Sequence, residues 1–202
     1  MTLWRGTEPL ILASQSPARQ ALLAGAGIAF EAIPANLDER AAVLGSALSA
    51  PGEIAALLAR EKAAVVSAKY SGRWVLGADQ TLAVGERLFN KPAGRAQAAG
   101  QLRALAGQAH ELYSAAAVVR DGEMVFEALS IARMTMRPLD DAAISAYLDA
   151  AGEAVTTSVG AYQLEGLGVH LFERVEGDHF TILGLPLLAL LEFLRSRRLL
   201  AV

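Results

Sequence analysis

The sequence predicts an α/β fold around one mixed sheet. Three observations carry that prediction. Apolar strand-like runs alternate with helix-period segments along the chain. Hydrophobic residues make up 53% and charged residues 19%, a globular balance. A chain of 202 residues can also bury a full core. One domain spanning residues 1–202 is expected, with a division into two lobes around a cleft.

The elements follow in order. Pro9–Ala13 reads as a strand and Pro17–Ala26 as a helix ending at Gly27. Ile28–Ile33 is a second short strand. Pro51 opens a long helix, with Glu53 in its first turn and Ile54, Leu57, Leu58, Val65 and Val66 on its apolar face. Trp74–Ala78 has the pattern of a buried strand that stops at Asp79. Leu82–Val84 and Arg87–Phe89 bracket Gly85-Glu86 as a small hairpin. A helix follows from about Ala93 to Ala106. Asp121-Gly122 between Glu111–Arg120 and Glu123–Arg137 predicts a long hairpin. Asp140 or Asp141 caps a helix through Ala151. Two further strands, near Val169–Val175 and His179–Leu183, lead to a final helix from Pro186.

Composition excludes several classes. The net charge is −3, and the only dense basic run is Arg195-Ser196-Arg197-Arg198, so no nucleic-acid footprint is present. The absence of cysteine removes disulfides, thiolate nucleophiles and Cys-based zinc sites. His110, His170 and His179 form no metal-binding pair at helical spacing. No signal-peptide core precedes the first strand. The apolar run Phe180–Leu191 is too short to span a bilayer and is broken by Pro186. A soluble, cytoplasmic protein without membrane or nucleic-acid partners is expected.

The chemistry gathers at predicted strand ends. Leu10–Ala13 runs into Ser14-Gln15-Ser16-Pro17-Ala18-Arg19, the layout of a phosphate-binding turn. Ser16 can cap the helix, Pro17 suits its first turn, and free N–H groups there attract anions. Arg19 adds a fork of donors that matches phosphate oxygens. An ordinary capped helix is the plainer alternative. Asp38-Glu39-Arg40, Asp79-Gln80 and Lys91-Pro92 are three further polar groups, and ligands of open α/β sheets bind outside strand ends. Taken singly, Asp38 and Glu39 suit a solvated loop, Asp79 a turn, and Lys91 and Lys62 a solvated surface. Together, hydroxyls, a guanidinium and ammonium groups can hold a polyphosphate. Carboxylates can hold a divalent cation and deprotonate a water. That set suffices to split a phosphoanhydride. Neither a Walker-type phosphate loop nor a dinucleotide fingerprint is present.

Several segments then make a specific resemblance. They are Leu12–Arg19, Asp38-Glu39, Ala59-Arg60-Glu61-Lys62-Ala63, Gly77-Ala78-Asp79-Gln80, Asn90-Lys91-Pro92, Gly160-Ala161-Tyr162, Glu165-Gly166-Leu167-Gly168 and Gly184-Leu185-Pro186-Leu187. They occur in the order seen in the Maf family, the septum-formation-inhibitor-like nucleoside triphosphate pyrophosphatases. The chain resembles that family from Leu10 to Leu194. The resemblance implies a twisted mixed sheet flanked by helices, of the inosine triphosphate pyrophosphatase-like kind, usually dimeric. It implies hydrolysis of a nucleoside triphosphate between its α and β phosphates, with Mg²⁺ or Mn²⁺. Asp79 would be the general base and Glu39 a metal or water partner, the two carboxylates being the metal ligands. Ser14, Ser16, Arg19, Lys62 and Lys91 would contact phosphate, with Lys91 counted in the catalytic set. Gln80 and Glu165 stand where members acting on thymidine and uridine triphosphates carry Thr and Gln. Their Gln/Glu combination resembles the 7-methylguanosine triphosphate branch. Ala18 stands where many members carry a basic or aromatic residue, and Ser158 where some carry Lys. The alternatives are a dTTP/UTP pyrophosphatase, or a non-catalytic nucleotide-binding regulator of septum formation.

Overall fold

The structure is a computed structural model that describes residues 3–202. The elements run β1 (Leu10–Leu12), α1 (Pro17–Gly25), β2 (Phe30–Ala32), α2 (Glu39–Ser46), α3 (Pro51–Ser67), β3 (Val75–Val84) and β4 (Arg87–Phe89). They continue with α4 (Arg95–Leu105), β5 (Ala109–Arg120), β6 (Glu123–Met136), α5 (Asp141–Ala151), β7 (Phe172–Glu176), α6 (His179–Ile182) and α7 (Leu187–Ser196). Short 3₁₀ turns fill the stretch between α5 and β7. The seven strands form one sheet in the order β2-β1-β3-β5-β6-β7, with β4 paired to β3. β1 is parallel to both β2 and β3, whereas β4 and β7 pair antiparallel, so the sheet is mixed as expected.

Local sequence explains most of these boundaries. Ser16 caps α1 by accepting from the N–H of Arg19, and Pro17 opens the helix. Pro51 opens α3 in the same way. Asp140, not Asp141, caps α5, accepting from the N–H of Ala143. Asp121 and Gly122 both take positive φ, 52° and 79°, as a tight hairpin turn requires.

Three expectations need correction. Asp79 does not end a strand: β3 runs unbroken to Val84, because Thr81, Leu82 and Ala83 continue a buried strand where turn residues would be needed. Asp38-Glu39-Arg40 is not a loop: Asp38 accepts from the N–H of Ala41 and caps α2, and Glu39 sits in the positive first turn. His179–Ile182 is a helical turn, and only Phe172–Glu176 of the Val169–Val175 region is strand, after a 3₁₀ turn over Leu167–Leu171.

The chain forms two compact units. The first gathers residues 3–80, Tyr113–Ser130 and His179–Val202. Its core packs Leu10, Leu12, Leu23, Leu76, Val118, Leu185, Leu190 and Leu194 on one sheet face, where apolar area leaves water. Ile11, Ala63, Val66 and Val75 form a second cluster. The side-chain alternation of β3 therefore sends even positions towards Leu185 and α7, and odd positions towards α3.

The second unit comprises Thr81–Leu112 and Ile131–Asp178. Leu82, Leu102, Leu105, Met134, Met136 and Ile144 are fully buried there. His110 shares a 2.7 Å hydrogen bond with the Tyr162 hydroxyl and lies beside Phe172. Burial pulls the His110 imidazole down from 6.5 to about 4. Above pH 6.5 the imidazole is neutral in both the folded and unfolded chains. As pH falls, the unfolded chain takes up the proton first, so stability drops between about 6.5 and about 4. The expected loss over that window is about 3 kcal/mol. Urea unfolding across it, with His110→Leu as the non-titrating control, measures this. Equal pH slopes in the two proteins would remove His110 as the cause.

Candidate active site

The site is built on the carboxyl end of β1. β1 pairs with β3 at Ile11↔Val75 and Leu12↔Leu76, then stops. β3 continues, so Asp79 lies just past the end of its parallel neighbour. The Ser14–Arg19 turn leaves β1 at that same end, which is where α/β sheets bind ligands.

Gly77 is what lets α3 come close. A Cβ on Gly77 would lie 2.0 Å from the carbonyl oxygen of Ala59 and 2.7 Å from the nitrogen of Ala63. The helix therefore rests against bare backbone. Lys62, beside Ala63, then reaches Asp79: its Nζ donates to Asp79 Oδ1 at 2.5 Å. The same ammonium lies 2.7 Å from Glu39 Oε1. The Lys62 side chain is only 12% exposed, so it belongs to no solvated face. One cation thus bridges two carboxylates from two different elements.

Arg19 is buried behind the turn. Its Nε donates to Gly184 O at 2.8 Å, and its Nη1 to Ala78 O at 2.9 Å and to Ser14 Oγ at 3.2 Å. A Cβ on Gly184 would come within 3.3 Å of Nη2, so the guanidinium is closely enclosed. Burial pushes the Asp79 carboxyl up from the usual carboxylate value, and the charges of Lys62 and Arg19 oppose that rise. Burial also lowers the Arg19 guanidinium, against the pull of Asp79 and Glu39.

Counting donors shows what remains. The Ser14 hydroxyl accepts from the N–H of Ser16 at 3.2 Å and from Arg19, so its own proton is uncommitted. Lys62 has three N–H groups and two carboxylate partners. Arg19 Nη2 donates to no described residue. Three groups each keep a donor for an anion, beside a carboxylate able to take a proton.

The structure thus brings together Ser14, Ser16, Arg19, Glu39, Lys62 and Asp79 in the first unit. Gln80 follows Asp79 but points to the opposite sheet face, where it contacts Ser114 and the backbone of Thr181 and Ile182. Lys91 and Glu165 belong to the second unit, and both are exposed. Lys91 lines a cavity of about 470 Å³ with Arg87, Asn90 and Gln101. Gln163, Leu167 and Gly168, on either side of Glu165, line one of about 210 Å³ with Tyr147. The sequence reading missed Ser114, Thr181 and Gly184 as supports of the site. No local signal marks Ser114 and Thr181, whose partner Gln80 lies 34 and 101 residues away, whereas Gly184 stands in the Gly184–Leu187 segment that carries the resemblance.

Among the described residues no group of three or more His, Asp or Glu gathers as a cation cage. None of the helices described is long and apolar enough to cross a membrane.

The sheet and its cluster define an α/β protein with carboxylates, an ammonium, a guanidinium and serine hydroxyls gathered at the end of a parallel strand pair. The Maf-like protein family matches residues 9–197, and the chain belongs to it. A nucleoside triphosphate pyrophosphatase of Bradyrhizobium diazoefficiens is 70% identical over 202 residues, covering the whole of both chains. One of Rhodopseudomonas palustris is 68% identical, again over both chains in full. A 7-methyl-GTP pyrophosphatase of Rhizobium etli is 52% identical over 192 residues, 94% of this chain and 96% of that one.

Proposed function

We propose that this chain is a nucleoside triphosphate pyrophosphatase that cleaves the α–β phosphoanhydride to a monophosphate and pyrophosphate. The observation that carries the reading is Lys62 bridging Asp79 and Glu39 beside the Ser14–Arg19 turn. Asp79 accepts the proton of the attacking water. The oxygen of that water bonds to phosphorus as the anhydride oxygen leaves on the other product. The Ser14 hydroxyl, Arg19 Nη2 and the third Lys62 N–H hold phosphate oxygens as negative charge moves onto the leaving group. Ser16 keeps the helix end formed, and Lys91 supplies a further phosphate contact.

Two carboxylates fit a hard divalent cation, which commonly takes one or two carboxylates and completes its shell with substrate phosphates and water. Glu39 and Asp79 would hold Mg²⁺ or Mn²⁺, and the ion would supply charge neutralisation of the triphosphate. Glu39 is the more adaptable of the two, its side chain being 52% exposed.

Within this activity we assign base choice to Glu165, with 7-methyl-GTP as the favoured substrate. A carboxylate accepts from the N1 and N2 donors of guanine, and it favours the positive ring that N7-methylation creates. A pyrimidine offers that carboxylate no such pair of donors and forgoes hydrogen bonds to a charged group worth about 1–3 kcal/mol. The 52% identity to a 7-methyl-GTP pyrophosphatase agrees with this reading.

Pyrophosphate release from a panel of nucleotides, with Mg²⁺ or Mn²⁺, tests the activity. Release from none of them would leave a non-catalytic nucleotide-binding regulator. In the same panel Glu165→Gln should lower the kcat/KM ratio of 7-methyl-GTP to UTP by about tenfold or more. A wild-type preference for dTTP or UTP would reject the base assignment and leave the pyrophosphatase reading standing.

A further inference from the structure

The turn that carries Glu165 is closed on itself. The N–H of Gly166 donates to Gln163 O at 3.2 Å, and that of Val169 to Gly166 O at 3.2 Å. A Cβ on Gly168 would lie 2.3 Å from Gln163 O, so the two ends of the turn meet as bare backbone. Glu165 sits at the exposed tip. A turn closed in this way moves as one piece, so the direction of its tip is set at its root, in the residues just before Gln163.

That root is held in an uncommon backbone conformation. Gly160 and Ala161 both take positive φ, 78° and 63°, and the second is disfavoured for a residue with a side chain. Such a conformation persists only where its surroundings fix it. Three side chains do so here. Tyr147 of α5 donates its hydroxyl to Ala161 O at 3.2 Å, and the Ser158 hydroxyl donates to Tyr162 O. The Tyr162 hydroxyl shares its 2.7 Å hydrogen bond with His110 of β5. Tyr162 and His110 are both buried, and Phe172 meets the Tyr162 ring edge-on at a centroid distance of 4.7 Å. His110 Nδ1 has no partner among the described residues, so the imidazole bonds here through Nε2. Packing against Phe172 would be served equally by phenylalanine. The hydroxyl adds a directed bond, which fixes rotation as well as depth.

We propose that Tyr162 is a positioning residue for base choice: its bond to His110, with Tyr147 on the preceding carbonyl, fixes the root of the 163–168 turn and so aims the Glu165 carboxylate at the base. The selectivity half of this proposal rests on the assignment of base choice to Glu165, whereas the anchoring of the turn does not. Tyr147 also lines the cavity of about 210 Å³ that Gln163, Leu167 and Gly168 border, so one tyrosine touches both the root and the flank of the turn.

The test uses Tyr162→Phe, which keeps the ring and removes the hydroxyl, and Tyr147→Phe, which does the same one carbonyl earlier. Hydrogen exchange of the amides from 163 to 169 is measured in each. Affinity and kcat/KM for 7-methyl-GTP and for UTP are measured alongside, in the wild-type and Glu165→Gln backgrounds. Both variants should speed exchange in that segment. Both should lower the ratio of 7-methyl-GTP to UTP by roughly fivefold, within the coupling expected of residues in one network. UTP turnover itself should change little. In the Glu165→Gln background the ratio should fall no further, because a positioning residue acts only through the group it positions. Should Tyr162→Phe fail to fold, Tyr147→Phe carries the same readouts. Unchanged exchange, an unchanged ratio, or an equal fall in both backgrounds would overturn the proposal. So would a wild type that distinguishes the two nucleotides in neither turnover nor affinity. Absent turnover with the affinity preference intact would reject the pyrophosphatase reading alone, and the affinity ratios would then decide the positioning role.

Discussion

Asp79→Asn should leave a folded protein whose turnover has fallen by about a hundredfold or more, the usual scale for a lost general base. Asparagine keeps the shape, and its Oδ1 can still accept from Lys62. What disappears is the negative charge that takes the proton from water. Folding should hardly notice. The buried carboxylate already bears a desolvation penalty, visible as its upward shift, and the neutral amide does not. Lys62 keeps Glu39 as a charged partner at 2.7 Å. The pair of measurements is kcat on the best nucleotide and the thermal midpoint. Near-normal turnover in a well-folded Asp79→Asn protein would remove this carboxylate from the chemistry.

Gly77→Ala should have the largest effect on stability. Its new methyl would lie 2.0 Å from Ala59 O, a backbone atom of α3 that has no side-chain freedom to yield. Either α3 lifts off β3 or the strand buckles. Overpacking of this kind costs about 3 kcal/mol or more. The consequence is not confined to stability. Lifting α3 also draws Lys62 away from Asp79, so residual activity should fall even where the protein remains folded. Denaturant unfolding gives the first quantity and kcat at low temperature the second. A Gly77→Ala protein with unchanged midpoint and turnover would show that the contact between α3 and β3 is loose.

Residues with local chemistry were legible in the sequence. Ser16-Pro17, Pro51 and Asp140 announce helix starts by the hydrogen bonds and backbone angles they favour. Asp121-Gly122 announces its hairpin because both positions must adopt positive φ. The cap at Asp38 carries the same kind of signal, but two adjacent acids before Arg40 also look like a solvated loop. Only the packing of the chain decides between those readings. The fate of Asp79 was not local at all. Whether a carboxylate ends a strand or sits within it depends on what faces it, and Lys62 is 17 residues away. Arg19 illustrates the limit best: the sequence shows a fork of donors after two serines, yet its shortest hydrogen bond goes to a carbonyl 165 residues on.

That distant bond also bears on the order in which a ribosome delivers the parts. The first unit begins with β1 and α1 but includes His179–Val202, and Trp4 bridges to Leu200. A growing chain presents the serine–arginine turn early, while the carbonyl that orients its guanidinium follows 165 residues later. Nascent chains that stop before Gly184 therefore expose the Leu10, Leu12 and Leu76 face without its Leu185, Leu190 and Leu194 cover, and hold Arg19 without its strongest acceptor. Truncated translation products should consequently be substrates for chaperones and proteases, and the site is completed only as synthesis of this unit finishes.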